Sequence, residues 1–327
     1  MLNKKLTICI PTYNRKKVVC ELVNFIIESE LLLKVDLLVV DDGSSDGTFN
    51  ALNKIECLGA SNIRFIFHEN RGFTLTSLSF FSECKTEYLM LADDDMIIFA
   101  EGMEKLLDFL NEARPDFVSP IFHASDATSI FRGKKNFKKI NIEEFRQATD
   151  HGPGLVYRTE VFQPIANKMI DSVLLQRSGV DENFPMLVLL MHASLQSENF
   201  WWLPVGTCGF RTTGAEPSGL KNKQGEAYSF VVPRWYEQKG LAALYSSFIE
   251  KTTLSSKKQG YQKMLTLHNH SVFMQLRNAV ASEAPDLLSL FDGGSVFYNI
   301  RFFSSKINAF FVYAKVRWFS KKVFADE

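Results

Sequence analysis

A mostly parallel α/β sheet flanked by helices is the fold class this sequence predicts, and three observations carry it. Short apolar, β-branched runs alternate with stretches of helical periodicity over the first 110 residues. Each of four such runs ends in a cluster of polar residues. Hydrophobic residues make up 46% of the chain and charged ones 23%, so a sizeable core can form and wholesale disorder is excluded.

The elements follow in order. LTICI (Leu6–Ile10) is a buried-strand run closed by Pro11. Between Lys16 and Ser29, apolar side chains at Val19, Leu22, Val23, Ile26 and Ile27 keep helical spacing. VDLLVV (Val35–Val40) is a second strand, and DDGSSDG (Asp41–Gly47) is a turn rich in helix-capping residues ahead of a helix from Thr48 to Ile55. IRFIFH (Ile63–His68) is a third strand, followed by a helix from Thr74 to Cys84. EYLMLA (Glu87–Ala92) is a fourth, ending on Asp93, Asp94 and Asp95. Strand and helix in this rhythm build a parallel sheet with helices on both faces. Ligands of such sheets bind outside the carboxyl ends of the strands. PTYN, DDGSSDG, HENRG and DDD all fall there, so four strands deliver polar groups to one rim.

Two carboxylate clusters point to different tasks. Asp93, Asp94 and Asp95 have no basic residue beside them in the sequence, and three adjacent like charges repel. A hard divalent cation, Mg²⁺ or Mn²⁺, would compensate them and neutralise charge building on a diphosphate leaving group. The competing reading is a solvated acidic turn capping a helix from Glu101. Asp41 and Asp42 suit a tight turn, and equally suit a strand-end acid that accepts hydrogen bonds from a ribose or base. Neither GxGxxG nor GxxxxGK[ST] occurs, so a dinucleotide or P-loop nucleotide is not indicated.

ICIPTYNR, LLVVDDGSSDGT, NIRFIFHENRG and EYLMLADDD resemble, in order and spacing, the nucleotide-sugar-binding half of glycosyltransferase family 2, over roughly residues 4–110. The resemblance implies the GT-A fold and sugar transfer with inversion at the anomeric carbon. It implies that Pro11, Thr12 and Tyr13 pack along the nucleoside, that Asp42 holds the base with Asp41 beside it, and that Arg15 and Arg71 contact the donor. Asp95 matches the metal ligand of the family's DxD motif, with Asp93 and Asp94 reaching ribose, metal or metal-bound water; the metal is Mn²⁺ or Mg²⁺. For Tyr13 a packed aromatic, and for Arg71 a surface cap, are the ordinary alternatives.

The expected organisation is a catalytic domain over 1–225, with donor binding in 1–110 and acceptor and catalytic parts in 111–225, then a helical region over 226–327. An inverting transferase needs a carboxylate to take the acceptor proton. The resemblance places it downstream of a Gly-rich acceptor segment, for which HGPGLVYR (His151–Arg158) stands here. Asp181 and Glu182 are the expected catalytic residues, ahead of Asp171 and Asp150. Their alternative role is the N-terminal region of a helix over Met186–Leu195, where acids suit the dipole. The family often carries a second acidic pair further on, which PMLVLLMHASL lacks. His151 and His192 have no partner at metal-ligand spacing. Trp201, Trp202 and Arg211 either line an acceptor groove or, for the tryptophans, pack in the core.

Thirty-seven basic residues balance thirty-seven acidic ones, which argues against a nucleic-acid partner. Five irregularly spaced cysteines read as reduced thiols of a cytoplasmic protein. Leu6–Ile10 is too short for a signal peptide's apolar region, and no run approaches the eighteen or so apolar residues of a spanning helix. The stretch 297–324 mixes aromatics with six basic residues and no acid, the pattern of a helix lying on an anionic membrane surface. The partners expected are therefore a nucleotide-sugar donor, a glycan acceptor that is lipid-linked, as in O-antigen or capsule synthesis, and the inner face of the cell membrane. Two rivals remain open from sequence. One is a sugar nucleotidyltransferase, disfavoured because PTYNRKK lacks glycine; the other is a non-catalytic, membrane-associated binding protein.

Overall fold

A computed structural model describes residues 4–56, 62–125, 128–176, 184–211 and 231–268. Its first compact unit, residues 1–216, carries the elements predicted for the N-terminal third in the predicted order. These are β1 (Leu6–Thr12), α1 (Lys16–Glu28), β2 (Asp36–Asp41), α2 (Thr48–Glu56), β3 (Ile63–Phe67), α3 (Phe73–Glu83) and β4 (Tyr88–Leu91). There follow β5 (Met96–Ile98), α4 (Ala100–Ala113), β6 (Phe117–His123), β7 (Ile130–Arg132) and β8 (Lys138–Lys139). Then come α5 (Phe145–Ala148), β9 (Val156–Arg158), α6 (Thr159–Gln176), α7 (Pro185–Ala193) and β10 (Phe200–Phe210).

The described strands form one sheet in the order β3-β2-β1-β4-β9-β6-β10-β5, with β7 added to β6 and β8 to β10. β3, β2, β1 and β4 are mutually parallel, while β9 runs antiparallel to both β4 and β6, and β10 is parallel to β6. The carboxyl ends of β1, β2, β3, β4, β6 and β10 therefore share one rim. Strands buried on both faces explain why LTICI, VDLLVV and EYLMLA are near-continuous apolar runs rather than alternating ones. Residues Leu6, Ile8 and Ile10 of β1 and Leu37 and Val39 of β2 are buried against Val19, Leu22, Val23 and Ile26 of α1. Each such side chain contributes about 1.5–3 kcal/mol by leaving water.

β1 runs two residues beyond its apolar core, through Pro11. Cys9 accepts a hydrogen bond from Ala92 on the β4 side, so Pro11, two residues on, also faces that side. The β4 ladder has ended by then, at Cys9–Leu91, and the missing N–H of Pro11 costs no bond. Pairing with β2 continues to Thr12–Asp41, which carries the PTYN segment out to the rim.

The second unit begins at residue 217, and its described residues form two helices. α8 (Val231–Lys251) and α9 (255–268) bury Leu241, Tyr245, Phe248, Tyr261 and Met264, with the rings of Phe248 and Tyr261 5.3 Å apart. The basic aromatic stretch 297–324 lies outside the described residues. Among the described residues no helix is long and apolar enough to cross a membrane.

Candidate active site

Hydrogen bonds between loops of the four parallel strands build the rim. Asn14, in the left-handed conformation (φ 52°) that asparagine tolerates, donates its N–H to Ser44 Oγ and accepts from the Ser45 N–H, both at 2.8 Å. Asp46 accepts from the N–H groups of Lys16 and Thr48, each at 3.0 Å, tying the starts of α1 and α2 together. Asp41 is fully buried; its Oδ1 accepts from the Ser44 N–H at 2.9 Å. Asp42 accepts from the backbone N–H groups of Arg71 and Gly72, one on each oxygen at 3.0 Å. Asp42 thus pins the HENRG loop, and His68 of the same loop brings its Nδ1 to 3.3 Å from Oδ1. Gly43 (φ +81°) makes this possible, because a Cβ there would lie 2.6 Å from the backbone nitrogen of Asn70.

The acidic triplet closes the rim from β4. Thr12, whose side chain is buried, donates its hydroxyl to Asp94 Oδ2 at 2.8 Å. Arg15 forks across two carboxylates, reaching Asp94 Oδ1 at 2.8 Å and Asp95 Oδ2 at 2.6 Å. The basic neighbour that the triplet lacks in sequence is supplied in space: the guanidinium arrives from the β1–α1 loop, 80 residues away in sequence. Burial, then repulsion from Asp95 and Asp94, pushes the Asp93 carboxyl up to about 7. Burial also raises Asp94, to about 6, with Arg15 and Thr12 opposing.

Of the other expected donor contacts, Tyr13 is exposed (48%), Arg71 presents an exposed side chain and Pro11, in β1, is half-buried. Asp181 and Glu182, the expected catalytic residues, lie outside the described residues. Among the alternatives, Asp171 is exposed on α6, and Asp150 immediately precedes the Gly-rich segment.

That segment is held against the triplet. The Gly154 N–H donates to Leu91 O at 2.7 Å and the Leu91 N–H to Leu155 O at 3.0 Å, extending β4 pairing to the residues just before Asp93. Gly154 has φ +79°, and a Cβ on it would lie 2.4 Å from Cys208 Sγ. Arg132, fully enclosed in β7, donates from Nη1 to the carbonyls of His151 and Pro153. Burial lowers the Arg132 guanidinium to about 10, so it stays charged at neutral pH. His151 packs edge-on to Phe122 at 4.5 Å and lies 4.9 Å from Phe210, which pairs with Met96 next to Asp95. Sequence reasoning missed Arg132 and Phe210. FRGKKNFKK reads as a basic surface stretch, and Arg132 is buried only because β7 folds back onto Phe122.

Of the two readings of the tryptophans, packing is the one the described residues show. Trp202 is fully buried, Trp201 pairs with Val118 at the opposite end of the sheet and stacks on Phe137 at 4.7 Å, and Arg211 is paired with Glu21 at 2.6 Å. Cys9, Cys20, Cys84 and Cys208 are free thiols; Cys57 lies outside the described residues.

Burial, then the charge of Arg132, lowers the His151 imidazole to about 3, with Asp95 opposing. The folded state therefore refuses a proton that the unfolded chain takes up near pH 6.5, and this stability, full above that pH, is lost as pH falls. Urea unfolding is expected to show about 2 kcal/mol lost between pH 8 and pH 5 relative to His151→Phe, which fills the same aromatic cage without titrating. Parallel pH profiles for the two proteins would contradict that burial.

The oxygen-only chemistry of the triplet suits a hard cation, and Asp93, raised by burial and then by neighbouring acids, is a carboxylate that a cation would relieve. Among the described residues no three His, Cys, Asp or Glu side chains converge on one point. Asp95 and Asp93 fit the other arrangement, in which one or two carboxylates share the cation with substrate phosphates.

The fold is of the GT-A kind, and comparison with known proteins gives the family. The pattern described as Glycosyl transferase family 2 matches residues 7–174, just over half of the 327. The chain belongs to glycosyl transferase family 2 and is a glycosyltransferase that uses nucleotide sugars. No curated protein matches it. Among solved structures, TarS 1–349 of S. aureus in complex with UDP-GlcNAc is similar at TM-score 0.62 and 16% identity, covering 87% of this chain and 83% of that one. A mannosyltransferase from Pyrobaculum calidifontis in complex with GDP-Man and Mn²⁺ is similar at TM-score 0.55 and 16% identity, covering 100% and 89%. These likenesses establish the shared fold.

Proposed function

We propose that the chain transfers a single sugar from a nucleotide-sugar donor to an acceptor hydroxyl with inversion, with the donor diphosphate placed over the Asp93–Asp95 triplet. The observation that carries this is the cross-linked rim, in which loops from β1, β2, β3 and β4 are fixed to one another by the bonds of Asn14, Asp42, Thr12 and Arg15. A site held this way is organised before its ligand arrives, which lowers the ordering cost of binding. Tyr13, Asp42 and Arg71 would flank a nucleoside lying along the rim, with the buried Asp41 beneath, shaping the turn at Ser44. Asp95 with Asp93 would hold Mn²⁺ or Mg²⁺, which when bound neutralises charge developing on the leaving diphosphate. The binding of UDP-GlcNAc by TarS, and of GDP-Man with Mn²⁺ by the mannosyltransferase, supports that reading.

The segment from His151 to Gly154 borders the acceptor side, and Asp181 or Glu182 takes the acceptor proton. The acceptor is a lipid-linked glycan of bacterial surface polysaccharide, O-antigen or capsule, met at the cytoplasmic face of the membrane, with residues 297–324 lying on the lipid surface. Proton NMR of products formed from α-linked nucleotide sugars tests the stereochemistry. A β-linked product with release of the nucleoside diphosphate is expected; an α-linked product would contradict inversion. Formation of a nucleotide sugar from sugar phosphate and nucleoside triphosphate would instead mark a nucleotidyltransferase.

A further inference from the structure

Arg15 stands where the triplet calls for a cation. Its terminal nitrogens bridge Asp94 at 2.8 Å and Asp95 at 2.6 Å. Asp94 is fully engaged, with Arg15 on one oxygen, the Thr12 hydroxyl on the other and a side chain only 5% exposed. Asp95 is different: Oδ2 takes Arg15, and the side chain remains 25% exposed. The residue best placed to meet a metal therefore already shares its charge with a guanidinium. A planar guanidinium matches two carboxylates in a way a lysine ammonium cannot, so the metal-free triplet is held together from within the chain.

We propose that Arg15 is a resident counter-cation that competes with the divalent metal for Asp95. A metal that meets Asp95 shares that carboxylate's charge with Arg15 and loosens the guanidinium's hold on it. The inference rests on Asp95 being the metal ligand and adds what holds that ligand beforehand. Repulsion between the guanidinium and an incoming dication lowers the affinity of the nucleotide-free protein for metal. Loss of Arg15 therefore strengthens metal binding, the opposite of what removing a supporting residue does.

The test is a titration of the full chain with Mn²⁺ alone, following the electron paramagnetic resonance signal of free Mn²⁺. Wild type, Arg15→Gln and Asp95→Asn are compared without nucleotide. Arg15→Gln is expected to bind Mn²⁺ about tenfold more tightly than wild type, and Asp95→Asn at least about tenfold more weakly. Undiminished binding by Asp95→Asn would remove the ligand assignment on which the inference stands. Loss of binding in Asp95→Asn with no gain in Arg15→Gln would leave that assignment intact and overturn the role of Arg15. Arg15→Gln strands the buried Asp94 charge, so circular dichroism is recorded on each variant. If the glutamine variant does not fold, Arg15→Lys, which keeps the charge and loses the fork, is read instead. It is expected to bind Mn²⁺ at least about threefold more tightly than wild type; unchanged or weaker binding overturns the proposal.

Discussion

Asp95→Ala is expected to lower sugar transfer by about a thousandfold or more and to abolish the effect of metal on nucleotide binding, with little change in melting temperature. The first part follows from the position of Asp95, the most exposed acid of the triplet's ion-paired pair and the one with an oxygen to spare beside Arg15. Without that carboxylate, charge on the departing diphosphate develops against Asp93 and Asp94 with only Arg15, already paired to Asp94, beside it. The second part follows from how Arg15 is shared. Removal of Asp95 relieves repulsion on Asp93, the largest influence on that group after burial, while Arg15 keeps its bond to Asp94. The gain and the loss are of similar size, so the fold stands. Turnover at the wild-type rate by Asp95→Ala in the presence of a chelator would remove the metal from the account.

A large loss of stability is expected from Gly154→Ala. Its φ of +79° costs an alanine about 1 kcal/mol, and the new methyl would sit 2.4 Å from Cys208 Sγ and 3.3 Å from Arg132 Nη2, in a region with no slack. Overpacking of this kind costs a further 1–3 kcal/mol or so, for a total of about 2–4 kcal/mol in chemical denaturation. Transfer is expected to fall by about tenfold or more at temperatures where the protein stays folded, because the shift pulls on the Gly154–Leu91 bond that sets the loop beside the triplet. Cys208→Ala removes the sulphur the methyl meets. The double variant should therefore be more stable than Gly154→Ala alone, although Cys208→Ala by itself destabilises. Strict additivity of the two would show that the collision is not with Cys208.

The N-terminal half-sheet was legible because its chemistry is repetitive. β1, β2 and β4 are buried on both faces and read as apolar runs, and each is followed by loop residues whose type, aspartate, asparagine or glycine, follows from the turn they make. Even the helix bounds agree within a residue or so: α1 at Lys16–Glu28 against 16–29, and α3 at Phe73–Glu83 against 74–84. The remainder was illegible for reasons of length and distance. β5, β7 and β9 have three residues each and β8 has two, too few to show any period. β10 reads FWWLPVGTCGF, with Pro204 and Gly206 where its register with β6 shifts. The tryptophans drew attention as sugar-stacking groups, but the pleat turns Trp202 inward, and it is Phe210 at the other end that reaches the rim.

The site was legible in its residue types and less so in its pairings. Aspartates at strand ends were recognisable in sequence. That Asp42 clasps the Arg71–Gly72 backbone, and that Arg15 bridges Asp94 and Asp95, depends on loops that meet only in three dimensions. The same holds for Arg132, whose partners are the carbonyls of His151 and Pro153 rather than any side chain that a motif would reveal.

The most direct test of the account is calorimetric titration of UDP, GDP, CDP, TDP and CMP into the full chain, with Mn²⁺ and with chelator. One nucleotide is expected to bind, at least about tenfold more tightly when Mn²⁺ is present. Equal affinity in chelator, or no binding by any of the five, would contradict the claim that the rim and its acidic triplet form a metal-assisted nucleotide-sugar site.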